Sequence, residues 1–188
     1  MNCFPFMIPV EGKRCLLVGG GKVAARKAEK LLPFGVVLVL CAREVCPELI
    51  ELGVQVQAKE YRQELLEGIS FAIAATDDSA LNAQVAADCR QRGIPVNSVD
   101  DKENCDFYFP ALIHRGPITI GITTGGASPA LAGALREYLE GLLPEHLEEL
   151  AQKAEQLRGT MPSREYAKQV KQWLNQSLEE KRRSDETD

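Results

Sequence analysis

Apolar positions in the first half of the chain fall into short unbroken runs, and the stretches between them carry apolar residues at helical spacing. Arg14–Val18 (RCLLV) is one such run; three glycines follow it, and then Lys22–Leu32, where Val23 and Leu31 recur with alanines at the period of a helix. Val36–Cys41 (VVLVLC) comes next, with the continuous β-branched and aliphatic character of a strand covered on both faces. Strand, glycine turn, helix and strand make one βαβ unit. The alternation continues with a predicted helix at Pro47–Leu52, a strand around Val54, a short helix at Gln63–Leu66 and a strand at Phe71–Ala75. A long helix over Ser79–Arg92 and a strand in IPVNSV close the series. Strands separated by helices predict an α/β chain, a Rossmann-type doubly wound parallel sheet with helices on both faces. Ligands of such sheets lie at the carboxyl ends of the strands, near the switch in strand order.

From about Phe107 the rhythm changes. FYFPALI and PITIGIT are strand-like runs separated by HRG with no helix between them, and a helix is expected from Pro129 to Leu139. The tail holds two amphipathic patterns: Leu147, Leu150, Ala154 and Leu157 share one helix face, and Tyr166, Val170, Trp173, Leu174 and Leu178 share another. The charged end EEKRRSDETD is expected to fray into solvent.

At 188 residues the chain has room for one full α/β domain and a smaller appendage. A formal charge of -5, with no basic block, gives no general attraction to nucleic acid or to an anionic membrane surface. The six cysteines form no CxxC pair and no Cys/His spacing of the structural zinc type, which fits reduced thiols in a cytosol. No apolar stretch approaches a membrane span and the N-terminus lacks a cationic leader, so a soluble cytoplasmic protein is expected.

Gly19, Gly21 and Ala24 fit G-x-G-x-x-G/A in the right setting, after a strand and opening a helix. Gly19 would allow the tight turn, Gly21 the approach of backbone to a pyrophosphate and Ala24 close helix packing, with Lys22 and Val23 lending amides to the anion. The competing interpretation is a glycine-rich turn that binds nothing. The GxxxxGK[ST] spacing of a phosphate-hydrolysing loop is absent. The second strand ends as LCARE, with no acid at its tip for a ribose 2'-hydroxyl; Glu44 comes slightly later and Arg43 would instead suit a 2'-phosphate, so spacing leaves NAD and NADP both open. The segment AATDD, Ala74 to Asp78 with Thr76 and Asp77 in it, would lie over the cofactor or cap the following helix, and the two roles are compatible.

A nicotinamide enzyme needs a proton-handling group beside the site of hydride transfer. Asp77, Asp78, Asp100, Asp101 and His114 stand in strand-end segments; Asp100 follows IPVNSV where a substrate should lie, and an Asp-Asp turn is the plainer alternative. Ser128 and Pro129 suit the N-cap and first position of a helix, and Gly125 and Gly126 would leave amides at its positive end for a substrate carboxylate. Lys102, Arg115 and Arg136 are candidate partners for further carboxylates, or solvated surface charges. His114 and His146 lack a ligand partner at helical spacing, so no resident metal is expected.

VGGGKVAARKAEKLL, AIAATDD, PVNSVDD, FYFPALIHRGPITIGITTGGASPALAGALRE and LLPEHL occur in this order. Over roughly Phe4–Leu147 the chain resembles the precorrin-2 dehydrogenase domain of siroheme synthases, and TTGGASPALA is the most specific part of the likeness. The resemblance implies NAD-dependent oxidation of precorrin-2 to sirohydrochlorin, with ferrous iron insertion in some members. Asp100, at the end of the N-x-V-D motif, would then be the general base. Asn97, Lys102, Arg115, Thr124, Gly125, Gly126 and Ser128 would meet the tetrapyrrole. The implied organisation is a homodimer with an NAD-binding domain over residues 1–112, a small α+β dimerisation domain over 113–144 and a helical domain over 145–188 that closes over the substrate cleft. Thr124 stands where some fused relatives have a regulatory serine, and that role is not carried over. A non-catalytic NAD-binding redox or ligand sensor is the alternative from another class. A short-chain dehydrogenase is disfavoured because YxxxK is absent, Lys168 standing at the wrong spacing from Tyr166.

Overall fold

The computed structural model of the protein describes residues 3–99 and 101–185, Lys102 and Asp185 by their backbone alone. Two compact units divide it: one spans Pro5–Tyr108, and the other holds the residues from Phe109 onward.

In the first unit five strands, β1 (Arg14–Val18), β2 (Val37–Cys41), β3 (Val56–Ala58), β4 (Phe71–Ala74) and β5 (Val96–Ser98), form one parallel sheet in the order β3-β2-β1-β4-β5. Helices α1 (Lys22–Leu31), α2 (Pro47–Glu51) and α3 (Ser79–Gln91) make three of the crossovers, and a 3-10 turn at Gln63–Leu66 lies in the one from β3 to β4. The switch in strand order falls between β1 and β4, so the carboxyl ends of these central strands frame the place where a ligand of such a sheet lies.

The apolar runs become the core. Leu16, Val18, Val39, Cys41, Ala72 and Ala74 pack with Val85, Ala86 and Cys89 of α3 and with Val96, all buried. Each fully buried Leu or Val contributes roughly 1.5–3 kcal/mol by leaving water. Helix α1 buries Ala24, Ala25, Ala28 and Leu31, and the alanines let its axis lie close to the sheet. Pro33 and left-handed Gly35 end it in a single tight turn.

The third strand starts at Val56, later than its pattern suggested, because Val54 belongs to the end of α2. The Gly53 amide donates to Ile50 O and that of Val54 to Leu49 O, a left-handed glycine closure that satisfies the helix's last carbonyls.

In the second unit β6 (Ala111–Arg115) and β7 (Ile118–Ile122) pair antiparallel as a hairpin turning at Gly116-Pro117. Helix α4 (Pro129–Leu142) packs on the hairpin, and α5 (Leu147–Leu157) touches β7. Helix α6 spans Ser163–Asp185, and Lys153 Nζ of α5 sits 4.1 Å from the centre of its Trp173 ring. The charged end expected to fray is helical as far as Asp185. Its Glu, Lys and Arg residues are strong helix formers, and Arg182 and Arg183 in the last turn complement the negative end of the helix dipole.

Candidate functional site

The glycine turn is held from two sides. Gly19 has φ 119°, and a Cβ on it would fall 2.2 Å from Ala75 O at the end of β4. A Cβ on Gly20 would fall 1.9 Å from Glu44 O, beyond β2. Only glycine lets the chain run between these two backbones. The Gly19 amide donates to Cys41 O, and Gly20 O accepts from the Cys46 amide at 2.8 Å, so the turn is tied to the segment that carries Arg43 and Glu44. Gly21 differs: a Cβ there would meet nothing within 4 Å. It is also the N-cap of α1 and offers no side-chain acceptor. The amides of Lys22, Val23 and Ala24, the first turn of the helix, have no acceptor within it, and the open side of Gly21 lets an anion reach them. This cradle fits the diphosphate of a dinucleotide.

Thr76 and Asp77, after β4, close the other side. The buried Asn82 of α3 clamps Thr76 in both directions: its Oδ1 accepts from the Thr76 amide at 3.2 Å, and its Nδ2 donates to Thr76 O at 3.0 Å. Thr76 Oγ1 lies 2.7 Å from Asn82 Oδ1 and 3.0 Å from Asp78 O. Asp78 caps α3, its Oδ1 accepting from the amides of Ala80 and Leu81 at 2.9 and 3.1 Å. Asn82 was missed by pattern reasoning; the signal available was a polar residue on the helix face otherwise built of Val85, Ala86 and Cys89. Gly19, Gly21, Lys22, Val23, Ala24, Arg43, Glu44, Thr76 and Asp77 thus gather at the carboxyl ends of β1, β2 and β4.

The acidic pair follows β5 in the sequence. Asp100 lies outside the described residues, as does the Lys102 side chain. Asp101 is committed to the turn: its Oδ1 accepts from the amides of Glu103 and Asn104, both at 3.2 Å, and Oδ2 accepts from Asn104 Nδ2. These hydrogen bonds, that from the Asn104 side chain foremost, hold its carboxyl below the usual carboxylate range, which suits a cap and not a base. Asp101 is thus the cap of the short turn Lys102–Asn104.

Asn97 is buried. Its Nδ2 donates to Phe107 O at 2.9 Å and approaches Cys105 Sγ at 3.5 Å, while its Oδ1 and the Ser98 hydroxyl find no hydrogen-bond partner among the described residues. The Cys105 thiol faces Ser98 O at 3.0 Å and Asp101 O at 3.2 Å. The Val96 amide donates to Asp106 Oδ2 at 3.0 Å, and Arg90 Nη2 donates to Glu103 O at 2.6 Å. Lys27 of α1 belongs to the same neighbourhood and was not singled out in the sequence. Burial first, then the like charge of Lys30, lowers its pKa to about 8, against a smaller opposing pull from Cys105.

In the second unit most of the expected substrate contacts are engaged locally. Thr124 Oγ1 accepts from the Ser128 amide and donates to Ser128 O, both at 3.0 Å, and Ser128 Oγ caps the Leu131 amide at 3.2 Å. The Gly125 amide donates to Thr123 Oγ1 at 3.2 Å, so the turn fills part of its own anion seat; Gly126, at φ 82°, has open space on its Cβ side. Arg115 Nη1 donates to Pro144 O at 3.2 Å, and Arg136 pairs with Glu137 and Glu140 of its own helix. His114 Nδ1 lies 3.2 Å from Thr119 Oγ1 across the hairpin. Among the described residues no three His, Cys, Asp or Glu side chains gather to hold a metal, and no helix is long and apolar enough to cross a membrane.

Known proteins match the chain in the same two parts. Residues 6–111 match the family model described as "Putative NAD(P)-binding", and residues 115–142 match "Sirohaem biosynthesis protein central". The chain is 41% identical to a siroheme synthase of Chromobacterium violaceum over 168 residues, 87% of this chain and 36% of that protein. It is 42% identical to one of Photorhabdus laumondii over the same shares of each. The chain therefore spans about a third of the length of these relatives. A solved structure, "SirC, precorrin-2 dehydrogenase", aligns over 96% of each chain with a TM-score of 0.75 at 24% identity, which establishes a common fold. The uncapped glycine turn, its strand-order switch and matches that run consecutively along the chain lead to one conclusion: the chain belongs to the siroheme synthase N-terminal dehydrogenase-domain family.

Proposed function

We propose that this chain oxidises precorrin-2 to sirohydrochlorin with NAD, in siroheme biosynthesis, with Asp100 as the general base. The observation that carries this reading is the pairing of an NAD(P)-binding match over residues 6–111 with a sirohaem-protein match directly after it, in a chain whose helix α1 starts uncapped at an open glycine. NAD, when bound, accepts the hydride. Gly19 and Gly20 fix the turn; Gly21 admits the diphosphate to the amides of Lys22, Val23 and Ala24; Asn82 fixes the Thr76 peptide on the other side. Asp100 takes the proton released as conjugation extends. Asp101 and Asp78 are both tied up in caps, and the base role is given to Asp100 on the N-x-V-D motif that it ends. Asn97 supports this site by holding the segment that returns past β5.

The rest of the assignment follows the same family. The NAD-binding domain is residues 1–112, residues 113–144 mediate dimerisation, and 145–188 form the helical domain. Leu131, Leu135, Tyr138 and Leu142 stand exposed along one face of α4, which supports a homodimer through this region. Gly126 and the cations Lys102 and Arg115 receive substrate carboxylates, in a protein working in the cytoplasm.

The test is anaerobic turnover of enzymatically generated precorrin-2 with NAD, followed by absorbance, for wild type and Asp100→Ala. Loss of a positioned base should lower kcat roughly 10²–10⁴-fold while NAD binding persists. A folded, NAD-binding wild type that produced no sirohydrochlorin would sink the enzyme in favour of a sensor. Ferrous iron added to the completed reaction reads chelatase activity in the same cuvette.

A further inference from the structure

The second strand lacks the acid that commonly receives the adenosine ribose, yet the sheet supplies one from its neighbour. Strands β2 and β3 run parallel with Cys41 opposite Ala58, and the Ala42 amide donates to Ala58 O at 2.9 Å. Two residues further on each chain, the same register brings Arg43 opposite Glu60, where Arg43 Nη2 and Glu60 Oε1 form an ion pair of 3.2 Å. Both side chains are open to solvent, at 78% and 61% exposure. Burial, with the Glu60 charge adding to it, pushes the Cys41 thiol up, so the carboxylate also acts on the end of β2.

We propose that Glu60 is the residue that makes this site select NAD over NADP. The inference rests on the dinucleotide reading of the glycine turn. In a sheet of this order the adenosine ribose lies beyond the end of β2, next to the residues that follow it. There Arg43 alone would favour a 2'-phosphate. Glu60 holds that guanidinium and sets a negative charge against the phosphate, while its second oxygen remains an acceptor for a ribose hydroxyl. Glu60 and Glu64 also balance Lys59 and Arg62 around an open hollow of about 610 Å³ lined by Ala58, Lys59, Glu60, Arg62, Glu64 and Leu65. Without Glu60, the lining of that hollow keeps Lys59 and Arg62 against Glu64.

The experiment is calorimetric titration of NAD and NADP into wild type, Glu60→Gln, Arg43→Ala, the double variant and Glu44→Gln, with thermal melts of each. An exposed pair adds little to stability, so all should melt near wild type. Glu60→Gln should raise the NADP-to-NAD affinity ratio ~10-fold, the effect of one charge a few ångströms from a phosphate in a partly hydrated site. Arg43→Ala added to it should remove the gain. An unchanged ratio in Glu60→Gln, with NAD still bound by wild type, would overturn the proposal and leave the dinucleotide site standing. A ratio moved by Glu44→Gln and not by Glu60→Gln would overturn it in favour of the neighbouring acid. Wild type that binds neither nucleotide would overturn both this proposal and the reading beneath it.

Discussion

Helices α1 and α4 begin in opposite ways. At α4 the start is filled: Ser128 caps the Leu131 amide, Pro129 follows, and Thr124 brackets Ser128 with two hydrogen bonds. At α1 the cap is a glycine with no acceptor and open space beside it. A helix whose first amides are already satisfied has a start serving the fold, whereas one left bare keeps its partial positive charge for a ligand. The same sequence cue, glycines before a helix, therefore has different meanings at the two places, and the side chain at the N-cap decides between them.

The sharpest way to break this contrast is at its support. Gly20→Ala puts a methyl group 1.9 Å from Glu44 O. It should destabilise the first unit by about 3 kcal/mol or more, read by urea unfolding, and abolish NAD binding with it. Gly21→Asp separates the two effects. Its Cβ meets nothing within 4 Å and its φ of -85° suits any residue, so the fold should stand and gain a few tenths of a kcal/mol from the new cap. NAD affinity should nonetheless fall ~100-fold, since the carboxylate takes the diphosphate's amides and repels it; unchanged affinity would show that the bare helix start is not the anion seat. Asn82→Leu should cost about 1–3 kcal/mol by stranding the Thr76 amide and carbonyl, with weaker NAD binding measured alongside the melt. The mildest change is Ser128→Ala, expected to lose about 1 kcal/mol in a thermal melt with NAD affinity unaltered.

What could be read from the chain was what depends on near neighbours. The glycine turn, the caps Asp78 and Ser128, and the periods of the strands and helices are all local, and the structure has them, although α4 runs past Leu139 to Leu142 and β6 starts at Ala111, inside the run that begins at Phe107. The start of β3 was misplaced because Gly53 draws Val54 into the closure of α2, a competition between helix end and strand that periodicity does not weigh. The pairing of Arg43 with Glu60 depends on the register of two strands, which no pattern along one strand reveals. Likewise the part Asp101 plays emerges only once its carboxylate is seen accepting from the amides of Glu103 and Asn104. The hydrogen bond from Asn97 Nδ2 to Phe107 O, ten residues on, is another contact that no local pattern reveals.

That fastening reaches beyond the site. Every parallel sheet that is not a closed barrel ends in a strand with backbone groups on its outer side, and such a rim invites pairing with another molecule. Strand β3 blunts one rim by its three-residue length and the charges that follow it. On the other rim the returning chain does the work: the Val96 amide and carbonyl both go to Asp106, and Asn97 bridges Cys105. The loop that carries the acidic pair is thus also the sheet's selvedge. Variants that loosen it should betray themselves by clumping in solution as well as by slower turnover, and light scattering belongs beside every assay of that loop.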